Sequence, residues 1–292
     1  MTNPVTIDEQ GLRDGLQTLP TTFPTETKLR WIGRLVEAGV KRVQVASFVN
    51  PQKVPQMADA AELFARLPTR PDVQFSALVL NEKGVERAVA AGARYLAVSL
   101  SASDTHSRKN TGMGLDEAKT AFAAMVRRAR TAGVTVRGGI QCAFGCRYEG
   151  HIDPEVVFEL AKHHLDLGVD ELALADSTGM GNPPQLRDLT GRVVELAGAR
   201  AVSLHLHNTE NKGYANVFAG LDAGVRHFDT AFGGLGGCPF IRNATGNIAT
   251  EDTVNMLHQS GYDTGIDLQK IAALSTELAE HLGRPLPGLL YK

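Results

Sequence analysis

Short runs rich in Val, Leu, Ile and Phe alternate with longer Ala-rich stretches along almost the whole chain. The short runs are VTIDEQ (5–10), RVQVASF (42–48), QFSALVL (74–80), YLAVSLS (95–101), VTVRGGI (134–140), ELALADS (171–177), AVSLHLH (201–207) and RHFDTAF (226–232). Their length and their branched and aromatic residues predict strands of a buried parallel sheet. Helical stretches are expected at 25–39, 56–67, 82–92, 115–132, 154–168, 184–198 and 211–224, with a further pair near the C-terminus. Gly39, Gly92, Gly133, Gly168 and Gly224 each close such a stretch ahead of the next strand. Glycine caps a helix at positive φ without steric cost, so these positions punctuate the pattern.

Eight strand–helix units without a Pro/Ser-rich linker predict an α/β fold, a (β/α)8 TIM barrel spanning residues 1–292 as one catalytic domain. A doubly wound open sheet is the competing arrangement. No G-x-G-x-x-G follows the first strand to support it.

At 292 residues and 43% hydrophobic, the chain can bury a large core. A formal net charge of −2 provides no basic field for gripping nucleic acid. The N-terminus lacks a basic and then apolar leader, and no long apolar run follows, so a soluble cytoplasmic protein without a membrane partner is expected. Three cysteines without a C-x-x-C pair argue against a disulfide framework. Cys142 and Cys146 lie near His151, but no second pair completes a zinc ribbon.

In a barrel of this kind the reacting groups gather at the carboxyl ends of the strands. Four polar clusters fall there: GLRDGLQ (11–17), ADSTGMG (175–181), HLHN (205–208) and GGLGGCP (233–239). His205 and His207 are two apart on a predicted strand, so both side chains face the barrel interior. Asp14 is the carboxylate best placed to join them, because Asp8 and Glu9 fall earlier on the first strand. Two imidazoles and one carboxylate would hold a divalent metal with positions left open for substrate. Mg²⁺ or Mn²⁺ suits such a site, and ligand type alone leaves zinc and iron open. For either histidine the structural alternative is a hydrogen-bonded core residue.

These segments carry a resemblance. GLRDGLQ, SFVNPQKVPQM, VRGGIQCAFGCRYEG, HLHN, GGLGGCP and NATGNIATED occur in the order seen in the 3-hydroxy-3-methylglutaryl-CoA lyases, across roughly residues 5 to 270. The resemblance implies metal-dependent cleavage of an acyl-CoA substrate to acetyl-CoA and a keto acid. It assigns Asp14, His205, His207 and Asn247 to the metal. Arg13, Gln17, Gln44 and Arg137 fall to the substrate, with Arg13 also stabilising the enolate. Cys238 corresponds to the catalytic cysteine of the G-G-C-P loop. Asp176 would accept or relay a proton, or support a neighbour by hydrogen bonding. For Arg137 an ion pair inside the barrel is the alternative.

The assignment has chemical logic. Cleavage deprotonates a tertiary hydroxyl and leaves charge on an enolate, which a metal and a guanidinium would both stabilise. The resemblance breaks at several positions. Gln44 stands where the family carries glutamate, and an amide neither bears charge nor acts as a base. Asn208 replaces an aspartate, Glu210 and Asn211 replace tyrosine–glycine, and Thr18, Leu19 and Pro20 replace a basic segment. These departures leave open a related substrate: citramalyl-CoA, a bulkier hydroxyglutaryl-CoA or a free hydroxy-keto acid. A CoA-binding barrel without turnover is the non-enzymatic rival. Basic residues at the rim, Lys53 and Arg108–Lys109, are candidates for the CoA phosphates, and a homodimer is a possible assembly.

Overall fold

The computed structural model describes residues 3–237 and 246–292. Eight parallel strands close a barrel in chain order. They are β1 (Thr6–Glu9), β2 (Arg42–Ser47), β3 (Gln74–Val79), β4 (Tyr95–Ser101), β5 (Thr135–Gln141), β6 (Glu171–Asp176), β7 (Val202–Leu206) and β8 (His227–Thr230). Each coincides with a run expected from the hydrophobic pattern, β5 reaching one residue past its run to Gln141. Around them lie α1 (Thr25–Glu37), α2 (Ala60–Ala65), α3 (Glu82–Ala90), α4 (Asp104–Thr111), α5 (Leu115–Thr131), α6 (Pro154–Asp166), α7 (Pro183–Ala197), α8 (Gly213–Asp222), α9 (Thr250–Gln259) and α10 (Leu268–Leu282).

Successive strand residues point to opposite faces, and this alternation separates two environments. Val43 and Val45 of β2, Val136 of β5, Leu172 and Leu174 of β6, and Leu204 and Leu206 of β7 are buried in the hydrophobic core. The positions between them, including Arg42, Gln44, Arg137 and His205, carry the polar side chains. A barrel interior this polar needs internal pairing, because an uncompensated buried charge is far costlier than a buried methyl group.

The elements outside the barrel strands follow the expected pattern with three differences. The 56–67 stretch resolves into a 3₁₀ turn at Pro55–Met57 and the short α2. Helix α4 was not foreseen, because DTHSRKNT has no apolar stripe. It starts where the Ser103 side chain accepts a hydrogen bond from His106 N–H. A two-residue parallel pairing joins Asn3–Pro4 to Tyr262–Asp263 outside the barrel. The expected glycine caps all have positive φ, and Gly39 shows why: at φ +99°, an added Cβ would lie 2.2 Å from the Gly265 carbonyl oxygen.

Glu9 ends β1 pointing away from the barrel axis and is fully buried. Its Oε1 accepts from Gly11 N–H at 2.6 Å and Phe232 N–H at 3.0 Å. Its Oε2 accepts from the Thr250 hydroxyl. One carboxyl thus ties the first strand to the turn after β8 and to α9. Burial pushes Glu9 up to about 8, despite these donors.

A folded-state value raised above the unfolded one means that folding takes up a proton. Stability from this group is therefore complete below the unfolded value of 4.5 and declines as pH rises toward about 8. Within that window its contribution falls by about 1.4 kcal/mol per pH unit. Glu9→Gln is expected to flatten the pH dependence of unfolding free energy by that slope, measured by urea denaturation from about pH 5 to 8. An unchanged slope would mean that Glu9 is ionised in the folded protein.

Candidate metal centre and active site

The chain leaves β1 through a π-helical turn, Gly11–Gly15. The N–H groups of Arg13, Asp14 and Gly15 all point at the Gln10 carbonyl, at 3.0, 2.7 and 3.3 Å. This turn sets Asp14 opposite the histidines at the end of β7. The Nε2 atoms of His205 and His207 lie 3.0 Å apart. Asp14 Oδ2 is 3.9 Å from His205 Nε2. Among the described residues these three form the one group of His, Cys, Asp and Glu able to hold a metal ion.

Asn247 reaches the same point by a different route. Beyond the G-G-C-P motif in sequence, Asn247 forms an antiparallel bridge with His207. Asn247 Nδ2 donates to Asp14 Oδ2 at 2.7 Å and to the Leu235 carbonyl at 2.9 Å. Its Oδ1 is buried without a hydrogen-bond partner. An orphaned buried oxygen costs about 1–3 kcal/mol, which a cation would remove. Position 236 must be glycine for this packing: at φ +113°, a Cβ there would lie 2.3 Å from Asn247 Nδ2 and 2.8 Å from Asp14 Oδ2.

The donor set fits a divalent ion. Burial alone would raise Asp14, but the Arg13 guanidinium, with His205 and His207, holds its carboxyl down to about 2. Burial and then His205 push His207 down to about 3, so its imidazole is neutral, as a ligand must be. Arg13 donates to Asp14 Oδ1 and to Gln44 Oε1, and at 3.2 Å to Gln10 Oε1. Gln17 Nε2 donates to Asp14 Oδ1 at 3.3 Å. Arg13, Asp14, Gln17, Gln44, His205, His207 and Asn247 are therefore brought together.

Arg137 is not at this cluster's open side. Its Nη2 donates to Asp229 Oδ1 at 2.8 Å and its Nη1 to Asp8 Oδ2 at 3.2 Å. Of its two sequence readings, the ion pair inside the barrel is the arrangement present. Asp8 Oδ2 also accepts from Arg42 Nε at 3.2 Å, and Arg42 grips both oxygens of Glu171 at 2.8 and 2.7 Å. Asp229 Oδ2 meets His205 Nδ1 at 3.0 Å. A ladder of alternating charge thus runs from strand openings to a candidate metal ligand. Sequence reasoning missed Asp229. Its signal was the inward register of H-F-D-T, which pairs Asp229 with His205 across two strands.

Asp176 is fully buried at the end of β6. Its Oδ2 accepts from Gly181 N–H at 3.1 Å, and its Oδ1 has no partner. Burial pushes it up to about 6. Cys142 and Cys146 are both buried, and Cys146 Sγ lies 3.0 Å from Ser103 Oγ, while His151 is exposed. Cys238 lies outside the described residues. Asn208 Oδ1 accepts from Gly213 N–H at 3.0 Å at the start of α8. Glu210 pairs with Arg147 at 2.5 Å and Lys212 at 2.9 Å. At the rim, Arg108 pairs with Asp104 at 2.7 Å, and the Lys109 ammonium stands 4.9 Å from the Tyr148 ring centre.

Comparison with known proteins supplies the family. The family model described as HMGL-like matches residues 4–277. The chain belongs to the HMGL-like family. An (R)-citramalyl-CoA lyase of Chloroflexus aurantiacus is 42% identical, over 99% of this chain and 94% of the relative. A mitochondrial hydroxymethylglutaryl-CoA lyase of Bos taurus is 40% identical, over 96% of this chain and 86% of the relative. The solved HMG-CoA lyase from Acinetobacter baumannii, in complex with coenzyme A and 3-methylmalate, matches with a TM-score of 0.94 and 39% identity. That match covers 98% of this chain and 94% of the other.

The HMGL-like chain is thus a lyase for a CoA-linked substrate, built as a TIM barrel in the HMG-CoA lyase family. No helix among the described residues is long and apolar enough to cross a membrane. Replacing Asp14 by Asn removes the negative charge of the candidate metal group at almost constant size. Mn²⁺ affinity is expected to fall about a hundredfold or more, read by electron paramagnetic resonance titration of the free protein. Binding as tight as in the parent would place the ion elsewhere.

Proposed function

We propose that this chain is a divalent-metal-dependent lyase that cleaves 3-hydroxy-3-methylglutaryl-CoA or a close 3-hydroxyacyl-CoA to acetyl-CoA and a keto acid. The observation that carries the reading is the convergence of Asp14, His205 and His207 on one point beside the Arg13 guanidinium. Asn247, with its orphaned Oδ1, would complete the metal shell. Mg²⁺ or Mn²⁺ suits this mixture of oxygen and imidazole donors, and when bound supplies Lewis-acid polarisation.

The chain's own residues account for the remainder. The substrate hydroxyl loses its proton, the bond between the carbinol carbon and the thioester α-carbon breaks, and its electrons pass to an enolate. Arg13 is the cation available to that charge, since Asp14 and two neutral amides surround its nitrogens. Gln17, beside Asp14, would help orient the substrate. Asp176, raised by burial to about 6, is suited to accept or relay a proton near neutral pH. Cys238 is the candidate to return a proton to the enolate carbon, giving acetyl-CoA.

A specific observation favours a second reading, citramalyl-CoA. Gln44 meets Arg13 with a neutral oxygen where the family places a carboxylate. The pocket therefore keeps more positive charge beside the metal group. In citramalyl-CoA the free carboxylate sits on the hydroxyl-bearing carbon, one methylene nearer the reacting centre than in the methylglutaryl thioester. A glutamate at 44 would repel it, and an amide can donate to it. The named substrate of the Chloroflexus aurantiacus relative agrees with this reading.

Purified protein with Mn²⁺ is expected to release acetyl-CoA from at least one of these thioesters, and chelation should abolish release. Absence of acetyl-CoA from both, with metal bound, would overturn the lyase reading. Gln44→Glu should lower the citramalyl to methylglutaryl ratio of kcat/KM by about tenfold or more, the effect of one misplaced charge. An unchanged ratio would remove position 44 from substrate choice.

A further inference from the structure

We infer that Asp229 is a positioning residue for the metal centre: it fixes His205 in the tautomer whose Nε2 lone pair faces the ion, and Arg137 fixes Asp229. The inference rests on the metal-centre reading above. Three contacts carry it. Asp229 Oδ2 lies 3.0 Å from His205 Nδ1, Arg137 Nη2 donates to Asp229 Oδ1 at 2.8 Å, and Arg137 Nη1 donates to Asp8 at 3.2 Å. An ionised carboxylate only accepts, so His205 Nδ1 carries a proton, and in the neutral imidazole Nε2 is then left bare.

The two histidines differ in this respect. Their Nε2 atoms are 3.0 Å apart, so in the ion-free protein His207 must supply the shared proton from its own Nε2. Its Nδ1 is then a bare nitrogen, in keeping with that buried atom having no partner. His205 is preset to bind, whereas His207 must move its proton from Nε2 to Nδ1 before it can lend a lone pair. The cost of ordering the centre is therefore unevenly shared, and Asp229 removes it for one ligand.

Arg137 makes the argument testable. In Asp229→Asn, the side-chain oxygen turns toward the guanidinium, because the amide N–H groups cannot face it. The amide nitrogen then donates to His205 Nδ1, driving the proton to Nε2 and blocking the lone pair. Mn²⁺ affinity of the folded protein should fall about 10–100-fold. Adding Arg137→Met frees the amide to rotate, and part of the lost affinity should return.

A measurement on the unaltered protein does not depend on either variant folding. Long-range ¹H–¹⁵N correlation spectra of the metal-free protein should show His205 protonated on Nδ1 and His207 on Nε2. A His205 proton on Nε2 would overturn the inference. So would an Asp229→Asn variant that binds Mn²⁺ with parent affinity. A parent protein that binds no Mn²⁺ would instead overturn the metal reading itself, so the two failures are distinct.

Discussion

Charge enclosed in a closed barrel has to be answered by charge. The interior buries Asp8, Arg42, Arg137 and Asp229, with Glu171 part-buried at its edge, and each of them meets an opposite partner. Asp8 is shared by Arg42 and Arg137, so losing one member weakens the pairing of the next while leaving it a second partner. The ladder is therefore a rigid base. On it stands His205, and beside His205 stand Asp14, His207 and Asn247. The precision of the candidate metal group thus rests on a set of ion pairs deeper in the barrel.

The same constraint explains how strand β2 can face two ways. Its valines pack outward against helices, and its alternate positions put Arg42 in the ladder and Gln44 against Arg13. One residue of slip would drive the arginine into the apolar layer and the valines into the cleft. The Arg13 contact and the barrel register are thus written on one strand.

Much of this was legible in the sequence, for identifiable reasons. The strands announced themselves because their outward positions are mostly apolar, with polar residues such as Glu9 confined to strand ends. His205 and His207 were legible because a spacing of two is the strand period. Asp14 followed from its place after the first strand. Asp229 was not legible, because its relation to His205 is a register across neighbouring strands rather than a spacing along one. Helix α4 escaped for lack of an apolar stripe, since polar caps and its neighbours hold it. Asn247 entered only through the family resemblance, and a short bridge to His207 is what delivers it. Arg137 had two sequence readings that only packing could separate.

One amide group has consequences beyond its own contacts. Asn247 Nδ2 holds both the Asp14 carboxylate and the backbone carbonyl of Leu235, three residues ahead of the G-G-C-P cysteine. Order in that backbone and order in the carboxylate are then one linked equilibrium. By thermodynamic reciprocity, whatever free energy a bound ion gains from an aligned Asp14 it must return as bias on the Leu235–Gly237 backbone. The candidate metal group and the backbone leading into the cysteine motif thus share one amide as their common hinge pin.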